Sequence, residues 1–157
     1  MSKPKDVTAP TTPHVPGDED IGAINDIVGF HIRLAHGAVY RHFTESFTQI
    51  DLTQKQVSAL WLIDDHPDIA QTDLAQRMRM DRATTMAIVN RLQDRGLLVR
   101  GQSATDRRRQ TLNLTPAGQE VLGQAKVAIA AHEAWLKSRF TEKEVASLIE
   151  MLARIHE

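Results

Sequence analysis

Residues 74–100, LAQRMRMDRATTMAIVNRLQDRGLLVR, followed by TDRRRQTLNLTPAG at 105–118, decide the fold. Asp81 is placed to cap a helix over Arg82–Arg95, because its carboxylate accepts from the unpaired N–H groups of a first turn. Gly96 stands where the chain leaves such a helix in a left-handed conformation. Thr85, Ile88, Val89 and Leu92 step by three and four along the inward side. A shorter helix is expected at about Thr72–Met78, so the segment predicts two close helices joined by a tight turn. Beyond them, Leu97–Gln102 and Gln110–Leu114 read as two strands around a polar connection holding Ser103, Thr105 and Asp106.

Working outward, Thr115 followed by Pro116 is a helix start, with the proline where a missing N–H costs nothing. The helix it opens passes through Leu122, Ala125, Ile129, His132 and Leu136 to about Phe140. Thr141 and Glu144 have capping-box spacing ahead of an amphipathic run with Val145, Leu148, Ile149, Leu152 and Ile155. Upstream, Thr53 caps a helix from Gln54 to about Asp65 that carries Val57, Leu60, Trp61 and Ile63, and Pro67 ends it. A first helix is expected from Ile21 to about Phe47, with Ile21, Ile24, Val28, Ile32, Ala35, Val39 and Phe43 on one stripe and Ile27, Leu34 and Ala38 on a second. Residues 1–18 hold four prolines and little to bury, so they are expected to form a flexible tail before a single domain at 19–157.

Formal net charge is −1, yet residues 70–115 hold nine arginines, no lysine and four aspartates, a net of +5 that leaves −6 for the rest. Localised basic charge of this kind is the electrostatic footprint of nucleic-acid binding. The absence of cysteine excludes disulfides and thiolate metal sites. No window approaches the roughly 18 uninterrupted apolar residues of a membrane span, and the N-terminus lacks the basic-then-apolar order of a secretory signal, so a cytoplasmic protein is expected. His31, His36 and His42 are five and six apart, not the three or four that share a helix face, so no metal site and no cofactor are expected. With no GxSxG and no P-loop spacing, the chain does not read as an enzyme.

The two quoted stretches resemble the MarR family of transcriptional regulators over about residues 52–123, above all in Asp106-Arg107-Arg108 ahead of Leu112, Leu114, Thr115, Pro116 and Gly118. The resemblance implies a mainly α fold with a small β-hairpin wing: a winged helix-turn-helix DNA-binding lobe at about 52–115, and helical dimerisation regions at about 19–47 and 116–157. It also implies a homodimer on a pseudo-palindromic double-stranded operator, with half-sites about one helical turn apart. The outward face of the recognition helix offers Arg82, Ala83, Thr84, Met86, Ala87, Asn90 and Arg91 for DNA contact. Arg82 suits guanine, Asn90 suits adenine or phosphate, and the apolar side chains suit thymine methyl groups. Relatives commonly carry Ser or Thr near position 83 and a polar or basic residue near 87, so this face is unusually apolar. At the wing tip, Arg107 and Arg108 suit a narrow minor groove, with Asp106 expected to hold a guanidinium as a bidentate partner.

Members of the family often release DNA on binding a small phenolic or carboxylate ligand. Candidate contacts for an aromatic acid or its CoA thioester are His31, Arg33, His36, Tyr40, Arg41, Trp61, His132 and Trp135. The expected function is therefore a ligand-responsive repressor without membrane association. The alternative use of the same surface is a winged-helix module whose basic face meets an acidic protein partner, and the salt slope of DNA binding separates the two.

Overall fold

The computed structural model describes residues 21–156. The expected flexible tail at 1–18 lies outside the described residues. The chain divides between Val39 and Tyr40 into two compact units. In the first unit a 3-10 turn, Gly22–Asp26, precedes the helix α1, Val28–Ser46, whose last residues belong to the second unit. The expected α-helix from Ile21 is corrected here. Gly22 takes φ +74°, Ile27 is extended, and the Asn25 carbonyl accepts a hydrogen bond from the His31 ring at 2.6 Å. Regular α-helical pairing therefore begins only at the Ile27 carbonyl.

The second unit continues with α2 (Gln54–Asp65), β1 (Ile69–Ala70), α3 (Gln71–Arg77), α4 (Arg82–Asp94), β2 (Leu98–Gln102), β3 (Gln110–Leu114), α5 (Pro116–Lys137) and α6 (Glu142–His156). Thr53 closes a full capping box with Gln56 at the start of α2. The Thr115 hydroxyl accepts from the Gly118 N–H at 3.0 Å and donates to the Gly96 carbonyl at 2.6 Å, so one side chain starts α5 and ties it to the end of the preceding turn. Thr141 and Glu144 cap α6 reciprocally. Where two strands are expected, three occur, antiparallel in the order β1-β3-β2, with Ile69 opposite Leu112 and Arg100 opposite Leu112 on the other side. Two-residue β1 ties the start of α3 to the hairpin. Leu60, Ile63, Leu74, Val89, Leu92, Leu98, Leu112 and Leu122 form the centre of one core that fixes α2, α3, α4, α5 and the sheet together.

Candidate nucleic-acid interface

Asp81 positions α4. Its carboxylate accepts from the Thr84 N–H at 2.8 Å and from the Thr84 hydroxyl at 2.6 Å, and these two bonds hold it below the usual carboxylate range. Ahead of it, α3 is closed just beyond its C-cap by Arg79, which adopts φ 51° so that the Met80 N–H reaches back to the Ala75 carbonyl at 3.0 Å. Gly96, at φ +70°, closes α4 in the same manner, with the Leu97 N–H on the Leu92 carbonyl at 3.0 Å. Thr85, Ile88, Val89 and Leu92 are buried against the core, which turns Arg82, Ala83, Met86, Ala87, Asn90 and Arg91 to solvent. Met86 is 48% exposed, a large apolar side chain without cover on the same stripe as Ala83, Ala87 and Asn90.

The β2–β3 connection is internally tied. Ser103 Oγ accepts from the N–H groups of Thr105 and Asp106, each at 3.3 Å, and the Ser103 N–H reaches the Arg109 carbonyl at 3.1 Å. Among the described residues Asp106 pairs with no guanidinium, contrary to expectation. Its carboxylate accepts from the Arg108 backbone N–H at 2.9 Å and so shapes the turn. Arg109 Nη2 instead lies 2.8 Å from both oxygens of Asp73 on α3, an exposed ion pair that links the loop end of the hairpin to the helix pair. Arg107 and Arg108 are exposed and make no side-chain hydrogen bond or ion pair among the described residues, so two cations are presented at the tip.

Arg100, on β2, is engaged inward: it donates to Asn90 Oδ1 at 2.6 Å, to Gln71 Oε1 at 3.4 Å, and to Gln93. Adenine pairing by Asn90 would have to share the oxygen that Arg100 holds. Arg95 donates to the Asp51 carbonyl at 2.5 Å, and Arg79 to His156. The basic segment therefore splits into structural arginines, Arg79, Arg95, Arg100 and Arg109, and an outward set that includes Arg82, Arg91, Arg107 and Arg108. A capped helix with one open stripe, beside a hairpin carrying paired arginines, has the form that lays a helix in a major groove and a wing over the neighbouring minor groove.

The family model described as MarR family matches residues 50–109. A protein assigned as transcriptional regulator of the hcr operon in Thauera aromatica is 32% identical over 136 residues, 86% of this chain and 82% of that one. The chain belongs to the MarR family. It is thus a winged-helix, DNA-binding transcriptional regulator. Among solved structures, the transcriptional repressor CouR bound to a 23-mer DNA duplex superimposes with a TM-score of 0.81 at 32% identity, covering 87% of this chain and 96% of that one. CouR bound to p-coumaroyl-CoA gives 0.78 at 29% identity, covering 89% and 99%. The helix-turn-helix and hairpin of this MarR-family member are therefore the elements described above, at residues 71–94 and 98–114.

Of the expected ligand residues in the second unit, Tyr40 and Trp61 line different cavities. In the first unit, His31 is bonded to Asn25, Arg33 lies over the Phe30 ring at 5.2 Å, and His36 is exposed. Arg41, in the second, is exposed. Tyr40 lines a cavity of about 580 Å³ with Phe43, Phe47, Leu52, Arg91 and Arg95, between α1, the start of α2 and the end of α4. Trp61 borders a different cavity with Arg77 and Met80, under Lys126, whose Nζ is 4.9 Å from the ring. His132 and Trp135 join a residue outside the expected ligand set: His42 Nδ1 is 2.7 Å from His132 Nδ1, and the His42 ring stacks on Trp135 at 3.9 Å. Burial, and then the nearby His42, push His132 below its ordinary value. Nothing in the sequence spacing links positions 42 and 132. No helix of the described residues is long and apolar enough to cross a membrane.

Proposed function

We propose that this MarR-family chain is a cytoplasmic, non-catalytic repressor that binds a pseudo-palindromic operator as a homodimer and leaves it on binding a small aromatic acid or its CoA thioester. The observation that carries it is the outward stripe Arg82, Ala83, Met86 and Ala87 on a rigidly capped α4, beside the unpaired Arg107 and Arg108. Thr84 at the helix start and Arg91 further along the helix complete the contact, the latter toward phosphate. Dimerisation is supported by apolar side chains left uncovered: Ile149, Met151, Leu152 and Ile155 on α6, and Ile24, Ile27 and Val28 in the first unit. Two recognition helices related by a two-fold axis would then meet successive major grooves.

CouR, whose complexes include a DNA duplex and p-coumaroyl-CoA, supports both halves of the proposal. Within this chain Tyr40 lines a cavity that also touches Arg91 and Arg95 at the end of α4, so an anionic aromatic there would bear on the recognition helix. A ligand that favours one spacing of the recognition helices by about 1.4 kcal/mol changes operator affinity about tenfold. Titrating the operator complex with aromatic acids and their CoA thioesters tests this. Release by one compound is expected, whereas tighter binding with every active compound, or transcription that falls on deletion of the gene, contradicts the repressor assignment.

A further inference from the structure

Arg100 is half-buried and has no carboxylate partner among the described residues. Its guanidinium meets three carboxamides: Nη2 donates to Asn90 Oδ1 at 2.6 Å and to Gln71 Oε1 at 3.4 Å, and Nη1 donates to Gln93 Oε1. A guanidinium has only donors, so each amide must turn its oxygen toward it and its NH2 away. Asn90 and Gln93 are exposed, and Asn90 continues the stripe of Ala83, Met86 and Ala87 toward the C-terminal end of α4.

We propose that Arg100 sets the hydrogen-bonding polarity of the recognition surface, turning the Asn90 NH2 outward so that residue 90 favours a guanine or thymine edge over adenine. The inference rests on the operator-binding role proposed above. In the major groove guanine shows the acceptors N7 and O6 and thymine shows O4, so each takes an amide NH2. Adenine shows N7 beside the N6 amino donor, and its usual two-bond pairing with asparagine needs the amide oxygen to receive that amino group. Oδ1 keeps a second lone pair, but its charge-assisted bond to Arg100 holds the amide with its oxygen toward the strand, so adenine's amino group must share that oxygen whereas guanine and thymine take the free NH2 alone. Cytosine, which shows an amino donor, is disfavoured for the same reason. Gln93, one turn further on, is polarised alike and suits a phosphate oxygen. Arg100 is therefore a positioning residue. It acts through the side chain it orients.

The test is selection of operators from randomised duplexes with three full-length proteins: wild type, Asn90→Ala and Arg100→Met. The operator position at which Asn90→Ala flattens base preference is the one that residue 90 reads. There the wild type is expected to favour guanine or thymine over adenine by about tenfold. Arg100→Met, with native circular dichroism, is expected to raise adenine about tenfold relative to wild type by freeing Oδ1. If Arg100→Met does not fold, the comparison of wild type with Asn90→Ala still decides. The proposal is overturned if Asn90→Ala alters no position, if the wild type favours adenine at that position, or if a folded Arg100→Met keeps the wild-type preference. Failure of the wild type to enrich any sequence is a separate outcome, and it overturns the operator-binding role together with this inference.

Discussion

Gly118 is the third residue of α5, where helix propensity alone says that alanine should stabilise the protein by up to about 1 kcal/mol. Geometry says the opposite. A methyl group there would lie 1.9 Å from the Leu97 carbonyl oxygen and 2.9 Å from the Leu97 carbonyl carbon. Both are backbone atoms, so relief requires α5 and the entry to β2 to separate by about 1 Å or more. The same carbonyl accepts from the Thr115 N–H at 3.1 Å, and Thr115 caps α5 while holding the Gly96 carbonyl, so separation also strains those bonds. Overpacking costs about 1–3 kcal/mol, and a lost hydrogen bond or cap about 1 kcal/mol more. Gly118→Ala is therefore expected to lower stability by about 2 kcal/mol or more, net of propensity. Urea unfolding at fixed protein concentration, followed by circular dichroism, measures it. Gly123→Ala is the control, because nothing lies within 4 Å of the added methyl in the same helix, and it is expected to gain up to about 1 kcal/mol. A Gly118→Ala protein as stable as wild type, or more so, refutes the close packing of α5 on Leu97.

Arg107→Ala and Arg108→Ala should each reduce the slope of log affinity against log salt by about 1.8, about 0.9 for each of the dimer's two copies, and leave the urea midpoint unchanged, as neither side chain has a partner to lose. Unchanged slopes would remove the wing from the interface. Replacing half-site thymines by uracil deletes only a methyl group, and contact with Met86, Ala83 or Ala87 predicts roughly fourfold weaker binding per contacted base in a filter or anisotropy assay. Equal affinity at every thymine would show that the apolar stripe meets no methyl. His132, pushed below its ordinary value of 6.5 by burial and then by His42, contributes stability that is complete above that value. That contribution is lost as pH falls through the lower folded value. The urea midpoint of wild type should thus drop more steeply than that of His132→Asn below about pH 6.5, and parallel curves would exclude the histidine pair as the cause.

Local chemistry made much of this molecule legible. Thr53, Asp81, Thr115 and the Thr141–Glu144 pair each announce a helix start with a side chain that acts within three residues, and all four act so in the structure. The Gln110–Leu114 strand and the turn at Gly96 are equally local. What escaped is set by partners distant in the chain. Ile69–Ala70 is too short to show a period of two and becomes a strand only because Leu112 and Thr111 lie beside it. Asp106 was expected to grip a guanidinium, but the N–H of Arg108 two residues on is closer and needs no side-chain ordering. Asn90 reads as a partner for adenine or phosphate, and the bond to its oxygen from Arg100, ten residues away on a strand, has no signal in the spacing of α4. His42 and His132 are 90 residues apart, and their contact depends on how α1 and α5 pack.

Selection of operators from random duplexes with the purified wild-type protein tests the central claim most directly. A pseudo-palindrome whose half-site centres lie about 10 bp apart, bound with affinity that falls steeply as salt rises, is the predicted result. No enriched sequence at low salt, or an enriched site without two-fold symmetry, would contradict a dimer that reads DNA through α4 and the wing.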